Sequence, residues 1–314
     1  MRSSNTTFKS EFLHPRYWVT WFWLGLWWLV TLLPYPILLS LGKFIGHIIF
    51  IFPTRRKHIA HTNIKLCFPE MDAKQHKALL KANFYSVGIA LMEVGMAWWW
   101  PLQRLQKLVT VEGIENLERP DNQGVILLGM HFTTLEVGAA ALTSAIEIDG
   151  MYKAHKNCVY DYIQLKGRLS HNIDGCNLFD RNDMRGTLKS LKSGRVLWYL
   201  PDQDYGLSQS LFAPFFGLQA ATVHATSRMA HKTNASVIPV TFTRLANAKG
   251  YKIIIETALD DFPSNDLLID STRINQLIEN RVRLQPDQYL WVHRRFKNRP
   301  DGEKDYYNIS SNKA

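Results

Sequence analysis

The sequence predicts an α/β fold: a mixed, mostly parallel sheet flanked by helices, with an N-terminal membrane-anchoring helical region. Three observations carry this. From about residue 108, short apolar segments of strand length alternate with helix-length segments, the order that βαβ units require. Ahead of them, residues 54–104 show apolar residues near i, i+3 and i+4, which is a helical period. Ahead of those, residues 17–33 form a run without a single charge that holds five of the ten tryptophans.

As a helix, the 17–33 run would span about 25 Å, slightly less than a hydrocarbon core of roughly 30 Å. Pro34 and Pro36 end it. A second apolar stretch, 37–52, is broken only by Ser40, Gly42, Lys43, Gly46 and His47. Lys43 and His47 are four apart and share a helix face, so this segment is amphipathic. Arg55, Arg56, Lys57 and His58 then form a basic cluster suited to anionic headgroups. A core helix is the plainer reading of the first run, but so many indoles suit a membrane interface better. A cleaved signal peptide fits poorly, because the leader is long and no small-x-small site follows. Basic residues on both sides leave one span, a hairpin and an interfacial pair all open. The expected organisation is an anchor at 1–53, a helical region at 54–104, an α/β core at 105–300 and a disordered tail at 301–314.

Within the core the expected strands are 108–111, 125–130, 150–153, 177–179, 196–200, 237–242 and 251–256. Expected helices include 134–146, 158–170, 184–193 and 221–233. The balance of 37 Lys plus Arg against 27 Asp plus Glu gives a formal net charge of +10. That favours an anionic partner: nucleic acid, an acidic protein, anionic lipid or phosphate. No Walker A loop, no Gly-x-Gly-x-x-Gly in a strand-turn-helix context and no Gly-x-Ser-x-Gly elbow appears, which disfavours nucleotide enzymes and α/β-hydrolases. Cys67, Cys158 and Cys176 are widely spaced and show no zinc pattern.

The most informative segment is His131-Phe132-Thr133-Thr134-Leu135-Glu136, placed where the 125–130 strand ends and a helix begins. Ligands of open α/β sheets bind at the carboxyl ends of strands. On a regular helix His131 and Glu136 would lie about 140° apart, so they face one another only if the segment bends. A carboxylate beside the ring would fix its tautomer and stabilise it on taking a proton, making His131 a general base for a hydroxyl. Arg181, just past a strand end, is of the type that binds phosphate or carboxylate, and pairing with Asp180 or Asp183 reads equally well. Asp202 and Asp204, in Pro201-Asp202-Gln203-Asp204-Tyr205-Gly206, could bind a cation, orient a base or cap a turn, with turn chemistry the default. No third ligand at metal spacing accompanies them. Arg294 and Arg295 lie in the basic, aromatic run 291–299, which reads as a solvated face or as a site for phosphorylated lipid or an acidic protein.

In order, His131-x4-Glu136, Leu178-Phe179-Asp180-Arg181, Leu200-Pro201-Asp202 and Val237-Ile238-Pro239-Val240 resemble the four blocks of the glycerolipid-type acyltransferases. Nearly the full chain resembles the late acyltransferases of lipid A biosynthesis, the lauroyl/palmitoleoyl group. The likeness runs from Leu13-His14-Pro15-Arg16-Tyr17-Trp18 through Leu66-Cys67-Phe68-Pro69-Glu70-Met71 and Leu91-Met92-Glu93-Val94-Gly95-Met96-Ala97-Trp98 to Tyr289-Leu290-Trp291-Val292-His293-Arg294-Arg295. Glu rather than Asp at 136 leans towards that group over the myristoyl relatives. The resemblance implies an inner-membrane enzyme of a Gram-negative bacterium with its catalytic domain facing the cytoplasm. It implies acyl carrier protein as donor, the hydroxyl of a hydroxyacyl chain of Kdo2-lipid IVA as acceptor, membrane lipid as surroundings, and no cofactor, metal or nucleic acid. It also implies His131 as base, Glu136 as its orienting partner, and Arg181, Asp202, Asp204, Arg294 and Arg295 as substrate-binding residues. Two alternatives stand beside it: a phospholipid acyltransferase acting on a glycerol phosphate, and a non-enzymatic protein that binds anionic lipid and makes no demand on His131.

Overall fold

The computed structural model describes residues 7–118, 123–173 and 175–308. Four helices precede the sheet: α1 (Trp18–Thr31), α2 (Tyr35–Ile51), α3 (Arg55–Cys67) and α4 (Ala73–Trp99). Local chemistry sets their starts. Thr54 caps α3 by accepting from the Lys57 N–H, and Asp72 with Gln75 forms a reciprocal capping box on α4. Glycines let α2 and α4 cross with their backbones almost touching: a Cβ at Gly46 would overlap the Phe84 carbonyl, and one at Gly42 would lie 2.6 Å from the Ile89 Cα. α1 lies against α4, where the Trp27 indole donates to the Leu91 carbonyl (3.0 Å) and packs on Trp98 and Trp99.

After the short α5 (Leu102–Gln106), a seven-stranded sheet begins with β1 (Val109–Glu112) and β2 (Val125–Leu128). α6 (Leu135–Thr143), β3 (Ile148–Tyr152), α7 (Cys158–Leu169), β4 (Leu178–Asp180), α8 (Met184–Lys192) and β5 (Val196–Tyr199) follow. A hairpin of β6 (Ser210–Phe215) and β7 (Leu218–Val223) then precedes α9 (Ala225–Thr233), β8 (Ser236–Arg244), β9 (Tyr251–Ile255) and α10 (Leu267–Leu284). The strand order is β1-β9-β8-β2-β5-β3-β4, and β8–β9 is its antiparallel pair. The mixed, mostly parallel sheet expected from the alternation is therefore present.

Side chains divide the sheet faces by the two-residue period. Ile126, Leu128, Leu197 and Val237 pack with α3, α8, α9 and α10. Val125, Leu127, Trp198 and Ile238 pack on the other face with Ala141 and Leu142 of α6. α7 and the C-terminal half of α4 join α6 on that second side, and α1 lies outside them.

Three differences from the sequence reading have local causes. The segment expected as helix from 221 is strand to Val223, and α9 starts at Ala225. The preceding hairpin went unread because its two-residue turn, Phe216-Gly217, has positive φ at both positions, and only Gly217 signals that in sequence. The tail expected to fray from 301 is tied down as far as the described residues go. The Tyr307 hydroxyl donates to Asn63 (2.5 Å) and accepts from the Phe296 N–H (3.0 Å), while 309–314 lie outside them. Finally, α1 is only 14 residues long, and no single helix among the described residues is long and apolar enough to cross a membrane. α2 and α3 pass such a test only as a pair, bent by 93°.

Candidate active site

Parallel pairing brings the ends of β2 and β5 level, with Leu128 opposite Tyr199. Three residues beyond each partner stand His131 and Asp202. The Asp202 carboxylate meets the His131 ring at Nδ1 (2.6 Å) through one oxygen and accepts the His131 backbone N–H (2.9 Å) through the other. Asp202 is fully buried, whereas 21 % of the His131 side chain is exposed, so the ring is the part of the pair open to solvent. Burial raises the Asp202 carboxyl, but the charge and hydrogen bonds of His131 outweigh it and hold the group below the usual carboxylate range. An ionised carboxylate at Nδ1 places the ring proton there and leaves the Nε2 lone pair free to take another.

The segment bearing His131 is held on both sides. Its carbonyl accepts from the Leu290 N–H (2.9 Å), and the Thr133 N–H donates to Gln288 (2.8 Å). Gln288 exchanges two bonds with the Arg244 backbone, and the Arg244 guanidinium makes a buried two-point pair with Glu93 (2.6 and 2.7 Å). The loop that carries His131 is thus fixed by a buried network.

Glu136 is elsewhere. It sits in the first turn of α6 and accepts from Arg168 of α7 (Nε at 3.1 and 3.2 Å, with Nη2 closer still) and from the Trp98 indole (3.1 Å). The structure therefore pairs His131 with Asp202, and not with Glu136 as the spacing suggested. α6 begins at Leu135, and the turn ahead of it sends the two side chains apart. Glu136, Arg168 and Trp98 instead border an apolar pocket whose walls include Ala139, Ala140, Ile148, Met151, Leu178 and Leu200. It encloses about 730 Å³, counting the part open to solvent.

The other expected residues separate into different roles. Arg181 is exposed at the end of β4, its backbone N–H on the Tyr152 carbonyl. Asp204 makes no bond to His131 and accepts from the Gly206 N–H and from both the backbone and side chain of Asn298 (2.8 and 2.6 Å), so it closes the loop that carries Asp202. Arg294 is half-buried and Arg295 is buried. Arg295 donates to the Ala221 carbonyl (2.6 Å), Thr222 (3.0 Å) and Asn275 (3.2 Å), so it ties the 291–299 segment to β7 and α10 instead of meeting a ligand in solvent. Sequence shows a charge but not its depth. Arg168, Trp98 and His293 went unread because each reaches the site through a tertiary contact with no local pattern. Among the described residues no three His, Cys, Asp or Glu side chains converge as metal ligands would.

His293 supplies a measurable property. Its Nε2 accepts the Asp204 N–H (3.1 Å), and it borders the same small cleft as His131. Burial, against the pull of Asp202 and with the help of His131 and Arg295, pushes its pKa down to about 4. An unfolded histidine titrates near 6.5. Between those values the unfolded chain binds the extra proton, so this contribution to stability is complete above pH 6.5 and is lost as pH falls towards 4. Melting temperatures measured across that window should decline less steeply in His293→Gln than in the parent. Identical slopes would remove His293 as the cause.

A family model described as bacterial lipid A biosynthesis acyltransferase matches residues 5–298. The chain is 41% identical over 303 residues to the lipid A biosynthesis palmitoleoyltransferase of Escherichia coli (strain K12), covering 96% of this chain and 98% of that one. It is 39% identical, over the same length and with the same coverage, to the lipid A biosynthesis lauroyltransferase of that organism. Among solved structures, the 1-acyl-sn-glycerophosphate (LPA) acyltransferase PlsC from Thermotoga maritima aligns with 13% identity and a TM-score of 0.36, over 80% of this chain and 97% of that one.

Proposed function

The chain belongs to the bacterial lipid A biosynthesis acyltransferases, and we propose that it moves a fatty acyl group from acyl carrier protein to the hydroxyl of a hydroxyacyl chain on Kdo2-lipid IVA. The observation that carries this reading is the buried-carboxylate pair His131–Asp202 at the level ends of β2 and β5, in a body that also holds an apolar pocket against α6 and α7. Nε2 of His131 takes the acceptor hydroxyl proton as its oxygen attacks the thioester carbonyl carbon. The C–S bond breaks, and the departing sulfur takes the proton back from the ring. An ester and a free thiol result, with His131 and Asp202 restored. Asp202 stabilises the imidazolium while it exists and keeps the ring in the productive tautomer. The thioester brings its own activation, so no cofactor enters. The apolar pocket takes the acyl chain, and the Glu136–Arg168 pair holds α6 and α7 together at its border.

A lipid acceptor puts this enzyme at the cytoplasmic side of the inner membrane. Support comes from the helices outside the α/β body: Trp18, Phe22 and Trp23 of α1 remain 60–65 % exposed, and Ile37, Phe44 and Ile51 of α2 are exposed as well. Both helices pack on α4 through their other sides, so they suit an interfacial seat. Deleting α1 would uncover Trp98 and Trp99, so point changes make the cleaner test. Phe22→Glu with Trp23→Glu should move a large share of the protein from washed membranes to the soluble fraction, with its thermal melt retained. Full retention in the membranes would exclude α1 as the seat.

The activity itself is tested by incubating the purified chain with lauroyl, myristoyl and palmitoleoyl carrier-protein thioesters and Kdo2-lipid IVA, with mass spectrometry of the products. An added ester on a hydroxyacyl chain is the expected result, and the same assay identifies the preferred acyl group. Acylation of a glycerol phosphate with none of the disaccharide lipid would overturn the assignment.

A further inference from the structure

One group of exposed cations without a carboxylate partner lies on a different surface from the 291–299 run. α8 exposes Arg185, Lys189 and Lys192, spaced four and three apart and therefore on one side of the helix. α9 exposes Arg228, His231 and Lys232. The two helices pack side by side, and neither contains an Asp or a Glu. Among the described residues none of these cations has a carboxylate within ion-pair distance, whereas Arg168, Arg195, Arg244 and Arg281 all do. Asp183 is nearest in sequence, but it caps α8 by accepting the Gly186 N–H. Unpaired like charges on adjacent helices repel one another, and an anionic partner would relieve that.

The fold also says which kind of anion reaches them. α8 and α9 cover the sheet face that bears Ile126, Leu128, Leu197 and Val237. The tryptophan-bearing α1 lies on the opposite side, outside α4 and α7. With the α1 aromatics on a lipid surface, the α8–α9 face points away from that surface, so a soluble macromolecule meets it and the bilayer does not. Arg181, exposed three residues before α8, continues the cationic face to the carboxyl ends of the parallel strands, the end of the sheet from which the Asp202 loop also leaves, two strands away.

We propose that the α8–α9 face is the docking surface for the acidic protein that carries the acyl thioester. This rests on the reading of the chain as a carrier-dependent acyltransferase. Docked there, the carrier approaches from the water side while the lipid acceptor approaches from the membrane side, and the two meet at His131.

The test compares two donors that share one acyl group, acyl carrier protein thioester and acyl-pantetheine thioester, on the full chain and on Lys189→Glu with Lys192→Glu, and Arg185→Glu with Arg228→Glu. For a double charge reversal at exposed sites, KM for the carrier thioester should rise on the order of tenfold. The rise for acyl-pantetheine should be several times smaller, and added salt should narrow the gap between parent and variant carrier KM values. Equal rises for both donors, or none for either, would overturn the proposal. So would variants that lose binding to anionic vesicles while keeping the parent KM for the carrier. If the parent transfers nothing from any thioester yet binds the acidic carrier, and the reversals abolish that binding, the docking surface stands and the transferase reading fails.

Discussion

His131→Ala is expected to lower acyl transfer by roughly 10²–10⁴-fold, the usual contribution of a positioned base, in a protein that still folds. In the proposed transfer the acceptor is an unactivated hydroxyl that attacks usefully only if its proton leaves as the new bond forms, and Nε2 is the ring nitrogen that the Asp202 contact leaves free. The ring is partly exposed and, among the described residues, makes its side-chain bond only to Asp202, so its loss removes little packing. The measurement is the single-turnover rate with a saturating carrier thioester, beside a thermal melt. Turnover near that of the parent in a folded His131→Ala protein would sink the mechanism.

Asp202→Asn should be nearly as damaging, for a different reason. An asparagine oxygen can still accept the His131 N–H, but then its NH₂ group faces Nδ1. Two N–H groups cannot share that contact, so the ring shifts to its other tautomer with the proton on Nε2, the atom that must be free. A loss approaching that of His131→Ala is expected, mainly in kcat, since substrate contacts are untouched. Because the two residues act as one unit, the double variant should be little worse than His131→Ala. Glu136→Gln gives the contrast. It weakens the bond to Arg168 at the pocket border and leaves the His131–Asp202 contact in place, so its effect should not merge with that of His131→Ala in the same way. If instead the Glu136 and His131 losses proved non-additive while Asp202→Asn remained active, the sequence-based pairing of His131 with Glu136 would be restored.

Why that pairing is hard to read from sequence follows from the distances involved. His131 and Glu136 are neighbours in the chain, and a spacing of five with a turn between permits contact. His131 and Asp202 are 71 residues apart, and their meeting depends on β2 and β5 lying side by side in one register. The chain order of strands does not disclose their order in the sheet. Asp202 was visible as one of three open choices, turn, cation ligand or base orienter, and only the β2–β5 pairing selected among them.

What the sequence determined by itself was whatever rests on local period and residue chemistry. Apolar runs of strand length placed all seven strands of the main sheet, and local composition placed α6, α7 and α8, whereas α10 went unnamed and α9 was begun too early; the strand-end histidine stood out as the candidate site residue. The His-x4-Glu block and its companions also identified the family. Tertiary structure decided whatever depends on burial and on partners distant in the chain. It buried Arg295 against the Ala221 carbonyl and the Thr222 and Asn275 side chains, turned Asp204 towards Asn298, gave Glu136 to Arg168, and left the cations of α8 and α9 unpaired. A charge costs little in water and several kcal/mol when buried without a partner. The same letter, Arg, is therefore an exposed, unpaired charge on α8 and a structural tie at 295, and only the packing around each one decides which.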